Sequence, residues 1–511
     1  MIRVCTVDQM RSAENAAIDA GTGVDELMLR AGSAMFAVIA GQFDELTGKS
    51  ATVLVGPGSN GGDGVIVAAR LAEAGCRVRL ICSRPRDDAA AAAAGNPAIE
   101  LIHHSEGSAN RSAEDSDLVV DALLGIGSAP PLRGSVAQML SEIGAPGALK
   151  VALDMPSGID AQTGAADAAA FAADLTICAG PCKLGVLQFP ARPFAGRILT
   201  TDIGLGDPGS GHALDADVAA GLLPRRPVDA HKGTFGRVLA VAGSARYRGA
   251  AGLVCGGALR GGAGYVELAA IEPVAATVSA HLLGPIYTVL EETAGELRPN
   301  AIGVLKAAAT RAAAIAAGPG LGTGAGPERV IDWLTGPDGP DRPIVLDADA
   351  LNLISPLRCE SAPNSAGEVV LTPHPGEMAR LLGVGRDRVQ ADRLSSAQSA
   401  AARSGAVVVH KGAGTIVARP DGQYCICPLI APGLASAGTG DVLTGLVAAL
   451  LGSGLAAWDA ARLGVYLHAR SGQLAAAVLG APGVLAADLP RYIPEAWSEL
   501  SDRNRASPGN P

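Results

Sequence analysis

Aromatic residues are scarce: Phe, Trp and Tyr make up 3% of the 511 residues, with 3 tryptophans. The core must therefore be built from Ala, Val and Leu, and 67 glycines point to close helix-on-sheet packing with many tight turns. Excess positive charge is also missing. Lys and Arg number 40 against 50 Asp and Glu, giving a net charge of −10 and a pI of about 5.4. That excludes the basic footprint of nonspecific nucleic-acid binding, so anionic ligands must be held by helix N-termini and a few placed cations. The nine cysteines are scattered; the close pairs Cys178/Cys182 and Cys425/Cys427 lack CxxC spacing, and no histidine cluster completes a zinc site. Free thiols in a reducing compartment are expected. The start, Met1-Ile2-Arg3-Val4-Cys5-Thr6-Val7-Asp8, carries no apolar signal core, and the most apolar helical stretch, residues 442–458, is broken by Gly and Ser. A cytoplasmic protein with no membrane partner is the expectation.

What the chain does have is two unlike glycine-rich loops, each containing an aspartate: Gly58-Ser59-Asn60-Gly61-Gly62-Asp63-Gly64 and Gly438-Thr439-Gly440-Asp441. Each joins a preceding segment to a helix start, where backbone N–H groups and the helix dipole favour an anion. Two different phosphate-handling loops imply two active sites.

A length of 511 residues calls for two large domains. Residues 52–82 read as strand, glycine loop, helix from about Gly64 to Ala74, and strand. Further buried strands fall near residues 118–121, 151–154 and 175–177, alternating with helices as in a parallel sheet covered on both faces. Asp121 and Asp154 each end an apolar strand, at the edge where open parallel sheets bind ligands. Residues 204–227 carry no strong strand pattern and place the boundary near 210–225, giving domains at 1–215 and 225–495. A second series of strands runs through 237–241, 315–317, 344–347, 369–371, 407–410 and 415–417, the last two flanking a tight turn at Gly412-Ala413-Gly414. Residues 89–94 and 165–173 read as alanine-rich surface segments, and 501–511 as a disordered polar tail. The fold class is α/β.

In the first domain, Asn60 supplies a side-chain carbonyl, Asp121 and Asp154 supply carboxylates at neighbouring strand ends, and Ser157 lies just after Asp154; such oxygen-only ligands of low charge suit a hard, weakly held cation such as K⁺. An N-cap role for Asp154 and a turn role for Asp121 are the plain alternatives. Gly56-Pro57 with the first glycine loop, Asp121-Ala122-Leu123-Leu124-Gly125-Ile126-Gly127 and Asp154-Met155-Pro156-Ser157-Gly158-Ile159-Asp160 resemble the three signatures of the NAD(P)HX epimerase domain, and Gly180-Pro181-Cys182-Lys183-Leu184-Gly185 resembles its lysine segment. The resemblance covers about residues 1–210 and implies a Rossmann-like parallel-sheet sandwich. It implies that Ser59, Asn60, Gly61, Gly62, Asp63, Gly125, Ile126, Gly127, Ser128, Ala129, Pro130 and Pro131 hold the hydrated dinucleotide, that Asn60, Asp121 and Ser157 bind K⁺, and that Asp154 lies at the reacting ring. The chain departs from the family pattern at Ser59, where Asn is usual, at Ile126, where Thr is usual, and at Leu29, where Glu is usual.

In the second domain, the N–H groups at residues 438–441 can stabilise a transferring phosphoryl group and Asp441 can take a hydroxyl proton. Lys411-Gly412-Ala413-Gly414-Thr415 can contact a second phosphate, and His374 lies between two prolines in a rigid loop, where a structural role is the simpler reading. No Walker A or kinase glycine-rich loop is visible. The runs at 231–236, 242–244, 318–322, 346–352, 374–378, 411–415 and 438–441, in order, resemble the ADP/ATP-dependent NAD(P)H-hydrate dehydratase domain, a ribokinase-like α/β fold. The resemblance implies that Lys411, Gly412, Ala413, Gly414, Thr415 and Gly440 bind the adenine nucleotide with Mg²⁺, and that Ala250, Gly320, Leu321, Gly322, His374 and Asp441 face the substrate, with Asp441 catalytic.

Together the two resemblances imply a bifunctional, homo-oligomeric metabolite-repair enzyme. It epimerises the R and S forms of hydrated NADH and NADPH, then dehydrates the S form with ADP or ATP, releasing AMP or ADP and phosphate. The residues by themselves suit two other readings: a ribokinase-like small-molecule kinase with a nucleotide-binding N-terminal module, or an N-terminal domain that only docks partners.

Overall fold

The computed structural model describes residues 1–105, 109, 113–206, 209, 211–357 and 368–506. The chain forms two compact units, Ile2–Ala213 and Leu214–Pro511, with Met1 grouped with the latter. No helix among the described residues is long and apolar enough to cross a membrane.

The first unit contains β1 (Arg3–Cys5), β2 (Ser50–Val55), β3 (Arg77–Cys82), β4 (Ile99–His103), β5 (Leu118–Ala122), β6 (Leu149–Leu153), β7 (Leu175–Ala179), β8 (Cys182–Lys183), β9 (Arg197–Thr201) and β10 (Gly211–Ala213). Its main sheet has the order β4-β3-β2-β5-β6-β7-β9, and every neighbouring pair is parallel. Strand alternation sends Val53 and Val55 into one core with the helices Val24–Ala40 and Ser59–Glu73. Leu54 enters a second core with Met139 and Leu140 of the helix Gly134–Glu142. The strand order reverses between β2 and β5, so the loops after these two strands flank a topological switch point, where open parallel sheets bind ligands. The small strand β1 pairs antiparallel with β10 and parallel with β8.

The second unit contains β11 (Arg237–Val241), β12 (Tyr265–Ile271), β13 (Ile286–Leu290), a small hairpin of β14 (Glu292–Thr293) and β15 (Glu296–Leu297), then β16 (Ala314–Ala317), β17 (Ile344–Leu346), β18 (Val369–Leu371), β19 (Val407–His410), β20 (Ile416–Ala418) and β21 (Tyr424–Ile426). The order β13-β12-β11-β16-β17-β18-β19 is parallel, and β19, β20 and β21 continue as an antiparallel meander. The turn at 412–414 joins the hairpin β19–β20, as its glycines suggest. The almost wholly buried helix Thr439–Gly452 packs on the helix Arg248–Arg260. Their backbones approach so closely that a Cβ on Gly445 would lie 1.9 Å from the Val254 carbonyl oxygen, and one on Gly257 would lie 2.2 Å from that of Val442.

Four local expectations are corrected. The first glycine loop does not precede its helix but forms its first turn, because the helix starts at Ser59 rather than Gly64. Residues 165–173 are not a surface helix: Ala170, Phe171 and Ala173 are buried, and Ala166 makes a bridge to Ile159. Residues 216–221, left as linker by their Gly- and Asp-rich context, form a helix capped by Asp215 that packs against the C-terminal helix Leu489–Ala506. That C-terminal helix continues through Ser501 to Ala506, where a disordered tail was expected; Arg503 pairs with Asp217 on it, and residues 507–511 lie outside the described residues.

The Gly445/Gly257 crossing fixes the start of the helix that carries Asp441. Gly445→Ala should lower the stability of the second unit by about 1–3 kcal/mol through overpacking. Hydrogen exchange of the 439–452 amides under mild urea reads this directly, and unchanged protection would mean that the two helices have room to part.

Candidate active sites

The first site is built at the switch point of the N-terminal sheet. Gly58 caps the helix Ser59–Glu73 with extended backbone and no side-chain hydrogen bond, leaving the first-turn N–H groups for a ligand. Arg86 steadies the loop from behind, donating from Nη1 to the carbonyl oxygens of Gly56 (2.9 Å) and Gly58 (3.0 Å). A cavity of about 480 Å³ opens in front, lined by Ser59, Asn60 and Asp63, by residues 125–128 and by Asp154. Gly61, Gly62, Ala129, Pro130 and Pro131 do not form its wall; the two glycines lie buried in the first helical turn. Of the three departures from the family pattern, Ser59 and Ile126 line the cavity, whereas Leu29 does not and is exposed.

Asp154 follows the end of β6 with φ of +66°, a left-handed conformation uncommon for a residue with a side chain. Its Oδ1 accepts from the Ala179 N–H (3.2 Å) and from the Lys183 ammonium. Lys183 is fully buried on β8 and also donates to the Ala179 carbonyl oxygen at 3.1 Å. Burial is the largest influence and opposes the lysine's charge, but Asp154, Cys178 and Cys5 together raise its pKa above the usual value. Burial, then the Asp154 charge, pushes the Asp63 carboxyl up to about 8. Asp121 is fully buried and pushed up to about 6 by burial, against hydrogen bonds from the Ser157 hydroxyl (2.7 Å), the Ser157 N–H (2.7 Å) and the Leu123 N–H (3.1 Å). Asn60 donates from Nδ2 to the carbonyl oxygens of Leu124 (2.8 Å) and Leu153 (3.1 Å), while its Oδ1 is buried and accepts no hydrogen bond.

The second site lies where β16, β17, β18 and β19 end. Gly438 (φ +89°) takes the left-handed turn into the helix Thr439–Gly452, where L side chains are strained. The buried His468, its pKa pushed down to about 4 by burial, is within hydrogen-bonding distance of the Thr439 carbonyl oxygen (Nε2···O 2.8 Å), so as a neutral ring it donates there and holds the loop. Asp347, just past the end of β17, binds the Lys411 ammonium at 2.6 Å and accepts from the Thr444 hydroxyl at 2.7 Å. Lys411 is 3.9 Å from Glu377, and a Cβ on Gly440 would lie 3.1 Å from its Nζ. The ammonium is therefore committed to carboxylates rather than standing free for a phosphate. Burial works against its charge, yet Asp347 and Glu377 raise its pKa above the usual value. Burial and Asp347 push Asp441 up to about 7, and burial raises Glu377 as well.

His374 has the structural role that its setting favours. Its Nδ1 accepts from the N–H groups of Gly376 (2.9 Å) and Glu377 (3.2 Å), capping the helix Pro375–Leu382, while Glu377 accepts from the His374 N–H at 2.7 Å. Burial and Lys411 lower its pKa, so it stays neutral. Gly320 packs beside Ala250, and the Gly322 N–H donates to Asp349 at 2.9 Å. Arg393 reaches the carbonyl oxygens of His410, Lys411 and Gly414 at 3.3–3.4 Å and braces the 411–415 loop. Asp347, Glu377 and Lys183 lie inside the runs that resemble the two families but carry no role by that resemblance. The signal for Asp347 was the same one that picked out Asp121 and Asp154: a carboxylate at the C-terminal end of an apolar strand.

Two parallel sheets, each with a buried lysine–aspartate pair and a helix N-terminus at its ligand-binding edge, define a two-headed α/β enzyme of phosphorylated ligands. A family model described as NAD(P)H-hydrate dehydratase matches residues 238–495, and one described as YjeF-related protein N-terminus matches residues 24–185. The chain is 34% identical to the bifunctional NAD(P)H-hydrate repair enzyme of Thermofilum pendens over 98% of this chain and 97% of that protein. It is 35% identical to the Escherichia coli enzyme of the same name, over 98% and 96%. A solved ribokinase-like superfamily protein from Enterococcus faecalis, 22% identical, covers 57% of this chain and 97% of its own at a TM-score of 0.50, which shows the fold. The chain belongs to the family of bifunctional NAD(P)H-hydrate repair enzymes, with an epimerase and an ADP/ATP-dependent dehydratase in one polypeptide.

The Asp347 charge is one cause of the raised Asp441 pKa. Asp347→Asn should therefore move the acid limb of the dehydratase pH–rate profile to lower pH. A limb that stays in place would show that Asp441 is not the group titrating there.

Proposed function

We propose that Asp441 is the base of the dehydratase and Asp154 the carboxylate at the reacting centre of the epimerase. The observation that carries the first assignment is the position of Asp441: in the first turn of a 14-residue buried helix, beside Gly440 and within electrostatic reach of the Lys411–Asp347 pair. Hydroxide is a poor leaving group. Asp441 takes the proton of the C6 hydroxyl as its oxygen attacks phosphorus of ADP or ATP, and AMP or ADP departs. Phosphate then leaves C6, the C5–H bond gives up its proton to solvent, its electron pair becomes C5=C6, and the reduced nicotinamide is restored. The first-turn N–H groups stabilise the transferring phosphoryl group, and the 411–415 loop with Gly440 holds the nucleotide. Asp347 and Asp349 at this edge are oxygen donors that would hold a nucleotide-bound Mg²⁺, which would neutralise charge on the phosphates. Gly320, Leu321, Gly322, Ala250 and His374 form the substrate side.

In the epimerase cavity, Ser59, Asn60, Asp63 and residues 125–128 hold the dinucleotide. K⁺ fits the residues present: the orphaned Asn60 Oδ1 supplies a buried neutral oxygen, and Asp121 and Ser157, already hydrogen-bonded to each other, supply two more.

A mixed R/S sample of hydrated NADH, followed by recovery of NADH absorbance, tests the reading. Full recovery is expected with ADP or ATP in K⁺ buffer and none without nucleotide. Recovery that stops at the S fraction would remove the epimerase assignment; a stable phosphorylated product would point to a kinase. Asp441→Asn should cut dehydration at least ~100-fold while R/S exchange continues. Because the base must be ionised, the wild-type rate should fall as pH drops through about 7. Replacing K⁺ by tetramethylammonium should lower the melting temperature of the first unit, and Asn60→Ala should abolish that difference; equal melting in both salts would sink the cation site.

A further inference from the structure

The N-terminal cavity holds more carboxyl groups than its buried ammonium can neutralise. Asp154, Asp63 and Glu14 all line it, from three different elements. The cation in electrostatic reach of all three is Lys183, which is already committed to Asp154 and the Ala179 carbonyl. Glu14 comes from the helix Val7–Asp19; Arg11 of the same helix also reaches it, and Cys5 on β1 faces it as a neutral thiol, pushed up to about 12 mainly by burial. Neither Glu14 nor Asp63 has a side-chain hydrogen bond or ion pair among the described residues, whereas the Oδ1 of Asp154 is held twice. An unpartnered, partly buried carboxyl in a cavity wall is expensive to keep unless something that enters the cavity uses it.

Exchange of R and S configuration has a simple proton balance. The C6–O bond breaks, the ring nitrogen lone pair becomes the second bond of N1=C6, and the departing hydroxyl takes a proton and leaves as water. Water adds to the other face of C6, the N1=C6 pair returns to nitrogen, and the water gives a proton up. One proton is donated and one accepted, with no oxidant or co-reactant, so the cavity needs one carboxyl that holds a proton and one that does not. We propose that Glu14 is a catalytic carboxyl of this epimerisation, exchanging the proton of the C6 hydroxyl together with Asp63. The charge balance sets their states. Burial, reinforced by the neighbouring carboxylates, raises Asp63 to about 8; burial and Asp154 also raise Glu14, with Lys183 and Arg11 pulling against them. The inference rests on the epimerase reading of this cavity.

The test uses the full-length protein with hydrated NADH, without nucleotide, and reads R/S exchange by NMR. Dehydration of the S form by the same preparation serves as a control for folded protein, and an unaltered melting curve of the first unit controls for its fold. Glu14→Gln should lower the exchange rate at least 30-fold in kcat with little change in KM, and remove one limb of the pH–rate profile; Glu14→Asp should restore part of the rate together with that limb. Exchange by Glu14→Gln at the wild-type rate with an unchanged pH profile overturns the assignment, as does a loss confined to KM. Absence of exchange in the wild-type protein itself would instead sink the epimerase reading, which keeps the two failures distinct.

Discussion

Each unit buries a lysine against an aspartate just past the C-terminal end of a parallel strand: Lys183 with Asp154, and Lys411 with Asp347. Much of the chemistry at both edges depends on this arrangement. An isolated ammonium would not stay charged at such depth, and an isolated carboxylate would take up a proton. Each pair is held in direct contact in a low-dielectric wall, and the carboxylate raises the pKa of its lysine. The carboxyls that remain without a cation of their own, Asp63 and Asp441, then bear the burial and the repulsion, and their proton affinities rise into the range where proton transfer near neutral pH is efficient. The two units arrive at the same electrostatic design from unlike loops on parallel sheets that share one strand order.

The scarcity of aromatic side chains follows from the same geometry. Glycine and alanine at the helix contacts let backbones come close, as Gly445 and Gly257 do, and this places a helix N-terminus at the sheet edge. Arg86 and Arg393 then fix the loops by binding carbonyl oxygens, so that the loop N–H groups point away toward the ligand. His374 and His468 serve as neutral hydrogen-bonding props and not as proton carriers, which leaves the acid–base work to carboxyls.

Much of the architecture was legible in the residues. Apolar runs of four or five residues ending in aspartate marked strands β5 and β17 and the adjoining β6, and the glycine loops marked where the helices begin. The errors have local physical causes. A loop of Ser, Asn, Gly and Asp reads as irregular because each residue has low helix propensity, yet residues 59–63 form the first turn of a helix, at the N-terminus where an anion is favoured. Residues 165–173 read as surface because alanine is indifferent to burial; packing against the second core decides their place. The polar end of the chain is helical to Ala506 because Arg503 and its neighbours find partners on the helix at 216–221.

The sequence by itself determined the two-domain α/β plan and the family, and it singled out Asp154 and Asp441 as candidates, because strand periodicity, glycine spacing and ordered motifs are local signals. Only the tertiary structure decided which groups share a site. Lys183 lies 29 residues beyond Asp154, Lys411 lies 64 beyond Asp347, and Glu14 and Asp63 line one cavity from two different helices. Charge pairing and burial depend on distance in space and on the dielectric around each group, and neither quantity is written in the spacing of residues along the chain.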